Sequence, residues 1–200
     1  MTARGQRTRR RLLESAEAEF GKNGFEAASI ADITRRAGVA LGTFYVYFPD
    51  KRALFLEVVD NLGTRLRKHL TTAVMEHENR LTAQREGIRA FLQFAGKNRW
   101  LYRLIRQAEF VDEACYRRYY ASIAGPYAQR LSAAMGAGRM RKVDPETLAW
   151  CLMGLADFLG MKYVLWRNPK KIDQVLDAAM DFIENGLAAP PTKEGRSPTR

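Results

Sequence analysis

The sequence predicts an all-α protein of about nine helices, with a small N-terminal three-helix domain and a larger C-terminal helical domain. Apolar residues recur three and four positions apart along the chain, and no segment alternates with the two-residue period of a strand. Glycines, Asp-Pro and Asn-Pro pairs separate these segments as helix boundaries do. Two short helical patterns also meet at a tight turn at Gly38, which indicates a helix-turn-helix motif.

The N-terminal domain is predicted to contain three helices, over residues 7–23, 29–37 and 41–48. Gly24 ends the first helix, and residues 1–6 before it are expected to form a disordered arm. The hydroxyl of Ser29 caps the second helix, and Gly38 ends that helix by taking a left-handed conformation. The second and third helices therefore form the helix-turn-helix.

The third helix carries more apolar and hydroxyl groups than a surface helix normally does. Phe44 and Phe48 lie one turn apart and are predicted to be core. Thr43, Tyr45 and Val46 lie off that stripe and are predicted to be exposed. Such groups suit contact with base edges, thymine methyls and phosphates in a DNA major groove. The pattern favours a DNA-reading helix over the alternative that these side chains only pack inside the protein.

Residues 29–54, SIADITRRAGVALGTFYVYFPDKRAL, resemble the DNA-binding domain of TetR-family transcriptional regulators. The turn glycine, the G-T-x-Y-x-Y-F run and the lysine that follows stand in the same register as in that family. The resemblance covers residues 8–59. The rest of the chain resembles the family only in its length and all-helical pattern.

The resemblance implies particular contacts with DNA. Ser29, Tyr47 and Lys51 are expected to contact phosphates, while Thr43 and Tyr45 reach bases or backbone. The full set of predicted DNA-binding residues is Ser29, Leu41, Gly42, Thr43, Tyr45, Val46, Tyr47 and Lys51.

Three positions depart from the family pattern. Ala40 stands where a capping serine is usual, so the reading helix lacks a side-chain acceptor at its start. Leu41 and Val46 stand where polar side chains are common. Base readout is therefore expected to depend on thymine methyls and DNA shape more than on paired hydrogen bonds.

Six further helices are predicted, over about residues 50–76, 82–96, 99–108, 112–137, 144–166 and 168–185. Asp50 and Asn98 are expected to cap the fourth and sixth helices. Asp144-Pro145 and Asn168-Pro169 are start signals for the eighth and ninth helices. Gly125-Pro126 is expected to kink the seventh helix.

The predicted domains are a DNA-binding domain over residues 1–52 and a ligand-binding and dimerisation domain over residues 53–188. Residues 189–200 are polar and proline-rich, which predicts a disordered tail. The long fourth helix leaves the DNA-reading domain and enters the second one. It is therefore placed to act as a lever between them.

The sequence contains no recognisable catalytic or metal-binding arrangement. The only two histidines, His69 and His77, have no His or Cys partner at metal-ligand spacing. Cys115 and Cys151 lie far apart and are expected to be packed, reduced thiols. We therefore predict no catalytic residue, no metal, no cofactor and no enzymatic activity.

The compartment is predicted from two further features. The basic N-terminus is not followed by the apolar core of a signal peptide. The most apolar run, residues 148–166, is interrupted by Asp157 and Lys162, which favours a buried interface helix over a membrane span. We expect a cytoplasmic protein without a membrane segment.

Aromatic residues and arginines are concentrated between Phe91 and Tyr127. The simpler interpretation is a bundle core with solvated arginines, but the density favours an apolar pocket with placed polar groups. The predicted ligand-binding residues are Phe94, Trp100, Arg103, Arg106, Gln107, Phe110, Tyr116, Tyr120, Tyr127, Met153 and Asp157. Arginines suit an anionic ligand. Some TetR-like regulators similarly respond to coenzyme A thioesters, so the resemblance implies a small hydrophobic effector such as an acyl-CoA.

The eighth and ninth helices are predicted to form a homodimer through residues 144–187. The eighth helix is apolar almost all round, which indicates that a partner covers it. Two-fold symmetry implies a palindromic double-stranded DNA operator. The helix-turn-helix, the aromatic cluster and the lever-like fourth helix together predict a repressor that its effector releases. The formal net charge of +11 leaves one alternative open, an effector-independent basic DNA-binding protein of the nucleoid type.

Overall fold

The structure is a computed structural model that describes residues 2–166 and 171–186 of the 200-residue chain. Those residues form nine α-helices and one π-helical turn, and they contain no strand. The helices are α1 (Ala3–Ala27), α2 (Ile30–Ala37), α3 (Leu41–Tyr45), α4 (Lys51–Met75), α5 (Arg80–Lys97), α6 (Leu101–Val111), α7 (Glu113–Gly136), α8 (Pro145–Gly160) and α9 (Ile172–Asn185). The predicted all-α class is confirmed.

The N-terminal domain packs α1, α2 and α3 against the first turns of α4. Phe20, Phe44 and Phe55 are completely buried at its centre. The rings of Phe20 and Phe55 meet edge to face with their centroids 5.3 Å apart, a geometry that aromatic pairs prefer. This core fixes α3 at the surface of the domain.

The start of the chain differs from the prediction. Helix α1 begins at Ala3, because the Thr2 hydroxyl accepts a hydrogen bond from the Gly5 N–H at 3.2 Å. The expectation of a disordered arm over residues 1–6 is therefore wrong for residues 2–6. Gly24 interrupts the helix as predicted, with a φ of +85° that favours glycine.

Helix α3 ends at Tyr45, three residues before the predicted end. The N–H groups of Tyr47 and Phe48 both donate to the carbonyl of Phe44, at 2.9 and 3.0 Å, and so form a turn. Phe48 precedes Pro49, and a residue before proline is disfavoured in the helical region. The helix therefore stops before the chain reaches α4.

The C-terminal domain arranges α4 to α8 around a cavity. Helix α4 begins at the side-chain cap of Asp50, which accepts from the Ala53 N–H at 2.7 Å, and it runs from the first domain into the second. Helix α5 packs on α4, α8 and α9, while α7 packs on α4, α6 and α8. Helix α6 also packs on α1, so it touches both domains.

The predicted start of the fifth helix, at about residue 82, and the predicted Asn98 cap of the sixth helix are both wrong. Helix α5 starts at Arg80 because the Asn79 side chain accepts from the N–H groups of Leu81 and Thr82, both at 3.0 Å. Asn98 does not cap α6. Its side-chain amide instead donates to the Phe94 carbonyl at 2.8 Å, at the end of α5.

The last helices follow most of their predicted signals. Asp144 caps α8, accepting from the Thr147 N–H at 2.6 Å, and Pro126 lies inside a continuous α7. The α-helical part of α8 ends at Gly160 and continues as a π-helical turn, Met161–Leu165, so the helical segment reaches the predicted end near Trp166 with a changed hydrogen-bond pattern in its last turn. The Asn168-Pro169 signal and the tail at residues 189–200 lie outside the described residues.

The segment Pro145–Leu165 is the one described helix that is long and apolar enough, by length and composition, to cross a membrane. Only 11% of its most apolar window is buried within the chain. Such a helix is weak evidence for a membrane span, and its exposed apolar face also suits contact with another protein.

Candidate nucleic-acid interface and ligand cavity

The turn between α2 and α3 is held by local hydrogen bonds. The Ser29 hydroxyl accepts from the Asp32 N–H at 3.0 Å and donates to the Asp32 carboxylate at 2.6 Å. The hydrogen bond to the carboxylate lowers the pKa of Asp32. Gly38 ends α2 with a φ of +63°, where glycine is favoured. The geometry presents α3 at a fixed angle to the rest of the domain.

The exposed face of α3 matches the predicted reading face. Tyr45 is 56% exposed and Val46 is 76% exposed, whereas Phe44 is fully buried. Leu41 is also exposed, and no side chain caps the helix at Ala40, as predicted. The packing alternative therefore does not account for Tyr45 and Val46.

The basic first turns of α1 lie beside α3 and form a groove of about 690 Å³ with it. The groove is lined by Thr2, Arg4, Gly5, Arg7, Thr8, Arg11, Gly38, Val39, Thr43 and Tyr47. Arg9 does not line it, because its guanidinium pairs with Glu57. The groove gives the reading helix a positively charged flank of the kind that attracts phosphates.

Lys51 has a structural role that the sequence did not indicate. Its ammonium donates to the carbonyls of Phe25, Glu26 and Ala28, at 2.8, 3.1 and 3.1 Å. It also lies 4.5 Å from the centre of the Phe25 ring. The phosphate contact that the family resemblance implies stays a prediction, and it requires one of these hydrogen bonds to be released.

The C-terminal domain encloses a cavity of about 540 Å³ between α4, α5, α6, α7 and α8. That volume lies within the ordinary range for small-molecule sites. Five of the predicted ligand-binding residues line it: Arg106, Tyr120, Tyr127, Met153 and Asp157. Most of the remaining wall is apolar, from residues such as Ile88, Phe91, Ile105, Ile123 and Leu152.

Six other predicted ligand-binding residues do not line the cavity. Three of them lie just before α6 or on the side of α6 that packs against α1. They hold the C-terminal end of α1 in place. Trp100 covers Gly21, Arg103 donates to the Lys22 carbonyl at 2.6 Å, and Gln107 accepts from the Phe25 N–H at 2.6 Å. Composition could not indicate which face of α6 the cavity occupies.

The other three predicted residues lie away from the cavity, each for a different reason. Phe94 is buried and packs against His69, with ring centroids 5.7 Å apart. Tyr116 packs edge to face on Tyr120 at 5.0 Å, behind the cavity wall. Phe110 is 88% exposed near the end of α6.

The cavity has a basic end that no sequence pattern indicated. Arg80 at the start of α5 and Arg130 on α7 both line the cavity. The Nε and one terminal nitrogen of Arg80 are buried and have no hydrogen-bond partner. Burial lowers the pKa of Arg80, and the neighbouring charges of Arg130 and Arg139 lower it further. The unsatisfied guanidinium indicates a place for an anion.

Neutral polar side chains form hydrogen bonds at this basic end of the cavity. Tyr127 donates its hydroxyl hydrogen to the Gln84 side chain, and Arg130 donates to the Thr71 hydroxyl at 3.1 Å. Neither arginine forms an ion pair with a carboxylate among the described residues. No sequence signal marked these positions, because isolated arginines on α5 and α7 look like solvated surface residues.

A second polar region lies where α6, α7 and α8 meet. The Tyr102 hydroxyl donates to the Asp157 carbonyl at 3.2 Å. Burial raises the pKa of the Asp157 carboxyl, and Arg106 opposes that effect. Gly160 allows the close approach, since a Cβ there would overlap the Tyr102 hydroxyl.

The described residues contain no group of three or more His, Cys, Asp or Glu side chains that could hold a metal ion. Cys115 is buried as predicted, whereas Cys151 is exposed, so the expectation of a packed thiol is wrong for Cys151. Burial raises the pKa of the Cys115 thiol to about 11, which disfavours the reactive thiolate.

Comparison with known proteins identifies the N-terminal domain. Residues 12–58 match the family described as bacterial regulatory proteins, tetR family. The chain is 28% identical over 172 residues to the HTH-type transcriptional regulator YdgC of Bacillus subtilis, covering 82% of this chain and 85% of that protein.

Two solved structures share the fold. The regulator FadR from Bacillus subtilis, in complex with stearoyl-CoA, aligns with a TM-score of 0.79 at 14% identity, over 90% of this chain and 99% of that one. The fatty acid degradation regulator FadR from Bacillus halodurans aligns with a TM-score of 0.78 at 15% identity, over 90% and 95%.

The fold and the exposed α3 define a helix-turn-helix DNA-binding protein with a second helical domain built around a cavity. Residues 12–58 are a DNA-binding domain of the TetR family, and the chain as a whole resembles TetR-family transcriptional regulators.

Proposed function

We propose that the protein is a cytoplasmic, dimeric repressor that binds a palindromic operator and is released by an acidic, hydrophobic effector such as an acyl-CoA. One observation carries the proposal. Helix α6 contributes Tyr102, Ile105 and Arg106 to the cavity wall, and its opposite side holds the end of α1. A ligand that moves α6 therefore also moves the DNA-binding domain.

The DNA-binding part of the proposal rests on α3 and its basic flank. Tyr45 and Val46 supply the exposed groups for base contact, and Thr43 and Tyr47 join the basic groove. In a symmetric dimer the two reading helices enter successive major grooves about 34–36 Å apart, which requires a palindromic site.

The dimer face is assigned to α8 and α9. Phe158 is 66% exposed, and Trp150 and Phe182 are each 45% exposed. Large apolar side chains in such numbers on two neighbouring helices are typical of a surface that a partner covers. Four helices, two from each chain, would bury them in a bundle.

The effector class follows from the cavity. Its wall is mostly apolar, and its basic end holds the unpartnered guanidinium of Arg80 beside Arg130. An acyl chain with an acidic head satisfies both features. The stearoyl-CoA bound to the structurally similar FadR of Bacillus subtilis supports this class.

Coupling requires two arrangements of the protein, one of which the effector prefers. In the arrangement described here, Gln107 and Arg103 of α6 and Lys51 of α4 all bond to backbone groups near the end of α1. Filling the cavity would shift α6 and α4 together. We expect the spacing of the two reading helices to change as a result.

The experiment is selection of binding sites from a random DNA library, followed by titration of the best site with and without palmitoyl-CoA. A palindromic site, bound by one dimer and weakened by the acyl-CoA, is the expected result. Sequence-independent binding with a steep salt dependence would instead indicate the nucleoid-type alternative. Operator affinity that no acyl-CoA or fatty acid changes would refute the proposed effector class.

A further inference from the structure

The cavity has a polar corner at its far side, formed by Asp157, Tyr102, Tyr120 and Arg106. The Tyr102 hydroxyl donates to the backbone carbonyl of Asp157 and not to its carboxyl. The Arg106 guanidinium donates to the Met161 sulfur at 2.8 Å. The Asp157 carboxyl thus receives no hydrogen bond from any other described residue.

The basic end and the polar corner lie far apart. On α5, Arg80 and Phe91 both line the cavity, and eleven positions at about 1.5 Å each separate them by about 16 Å. Phe91 adjoins the corner, since a Cβ at Gly160 would lie 3.1 Å from its ring. On α7, Arg130 at the basic end and Tyr120 at the polar corner are separated by a similar distance, about 15 Å. The cavity is therefore elongated, with a different polar group at each end.

The charges at the corner favour a neutral partner over a cation. Arg106 lies close enough to Asp157 to lower the pKa of its carboxyl, while burial raises it. An ammonium group placed there would meet the Arg106 charge as well as the carboxyl. A hydroxyl group both donates and accepts, so it satisfies Asp157 whether the carboxyl is ionised or protonated.

We infer that the Asp157 corner binds a hydroxyl group at the far end of an acyl chain whose acidic head lies at Arg80 and Arg130. The inference rests on the proposed function, because it takes the cavity to hold an acidic amphiphile. The inferred site would distinguish hydroxylated from unsubstituted acyl chains, which a purely apolar pocket does not do. An unsubstituted chain would cover the half-buried Asp157 carboxyl without giving it a hydrogen-bond partner. Sites built to hydrogen-bond a hydroxyl discriminate against analogues without one.

The test is calorimetric titration of the purified dimer with three series of acids, from decanoic to hexadecanoic acid. One series is unsubstituted, the second carries an ω-hydroxyl and the third an ω-amino group. Each is titrated into the wild type, Asp157→Leu and Asp157→Asn. The Asn side chain can still form hydrogen bonds but carries no charge. The Leu side chain has a similar volume and removes both the charge and the hydrogen bonding.

The expected result is a preference of about 10- to 100-fold for the ω-hydroxy acid at the best-fitting length. Asp157→Leu should lose the preference while binding the unsubstituted acid at least as tightly, which also shows that the variant is folded. Asp157→Asn should keep most of the preference.

Four results would overturn the inference. Equal binding of the hydroxy and unsubstituted acids by the wild type is the first, and a preference that persists in Asp157→Leu is the second; both leave the proposed effector class intact. A preference for the ω-amino acid would assign the corner to a cation instead. Failure of all three series to bind the wild type would refute the proposed effector class, and the hydroxyl site with it.

Discussion

The side-chain oxygen of Gln107 accepts a hydrogen bond from the backbone N–H of Phe25 at 2.6 Å, across 82 positions of sequence. Gln107 also lies beside Gly24, where a Cβ would approach its side-chain nitrogen at 2.8 Å. The contact joins α6, which borders the cavity, to the last turn of α1, which supports the reading helix. It is a direct physical link between the two domains.

Replacing Gln107 with alanine should weaken that link. The Phe25 N–H loses its acceptor, so we expect the free energy of unfolding to fall by about 1–3 kcal/mol. The ratio of operator affinities without and with effector should also fall towards one. Chemical denaturation and fluorescence anisotropy measure the two effects. Gln129→Ala, at an exposed position on α7, is the control, and an equal loss of effector response there would argue against a specific link.

Replacing Arg80 with glutamine should weaken effector binding without weakening the fold. Two of its guanidinium nitrogens are buried without partners, so their removal should leave the melting temperature unchanged or raise it. Affinity for an acidic acyl ligand should fall about 10- to 100-fold, because charge-assisted hydrogen bonds are lost. Arg118→Gln, at an exposed arginine outside the cavity, should change neither quantity. Unchanged ligand affinity in Arg80→Gln would place the acidic head elsewhere.

Replacing Tyr45 with alanine should reduce operator binding by about 1–3 kcal/mol, the usual value for a lost base contact. Tyr45 is 56% exposed, so the melting temperature should change little. The matched control is Phe110→Ala, which removes an aromatic ring that is 88% exposed and lies on α6, outside the helix-turn-helix. Wild-type operator affinity in Tyr45→Ala would remove this residue from the reading face.

Replacing Gly160 with alanine should displace Tyr102 and reshape the cavity. The new Cβ would overlap the Tyr102 hydroxyl and lie 3.1 Å from the Phe91 ring. Such overpacking typically costs about 1–3 kcal/mol of stability, and we expect effector affinity to fall with it. Gly125→Ala, where no atom lies within 4 Å of the added carbon, is the control. Equal effects of the two substitutions would point to helix propensity and not to the cavity.

The helix-turn-helix was predictable because its signals are local. Ser29 caps its helix through the Asp32 N–H, and Gly38 takes the left-handed conformation, as the sequence indicated. The exposure of Tyr45 and Val46 followed from their position off the Phe44 stripe. Errors at the helix ends came from caps that compete locally, such as Asn79 for α5 and the Asn98 bond to Phe94.

The cavity was only partly predictable. Arg106 and Gln107 are adjacent in sequence, yet one lines the cavity and the other bonds to α1. Which side of α6 faces which neighbour depends on how the helix is rotated in the bundle, and composition carries no information about that rotation. Lys51 is a similar case, because its three carbonyl acceptors come from residues more than twenty positions away.

The sequence by itself determined the all-α class, the turn at Gly38 and the exposed face of α3, because capping, backbone conformation and helical period act within a few residues. Only the tertiary structure decided that Arg80 and Arg130 meet at one end of a cavity and that Asp157 stands at the other. Those groups lie on different helices, and their distances depend on packing between elements that are remote in the chain.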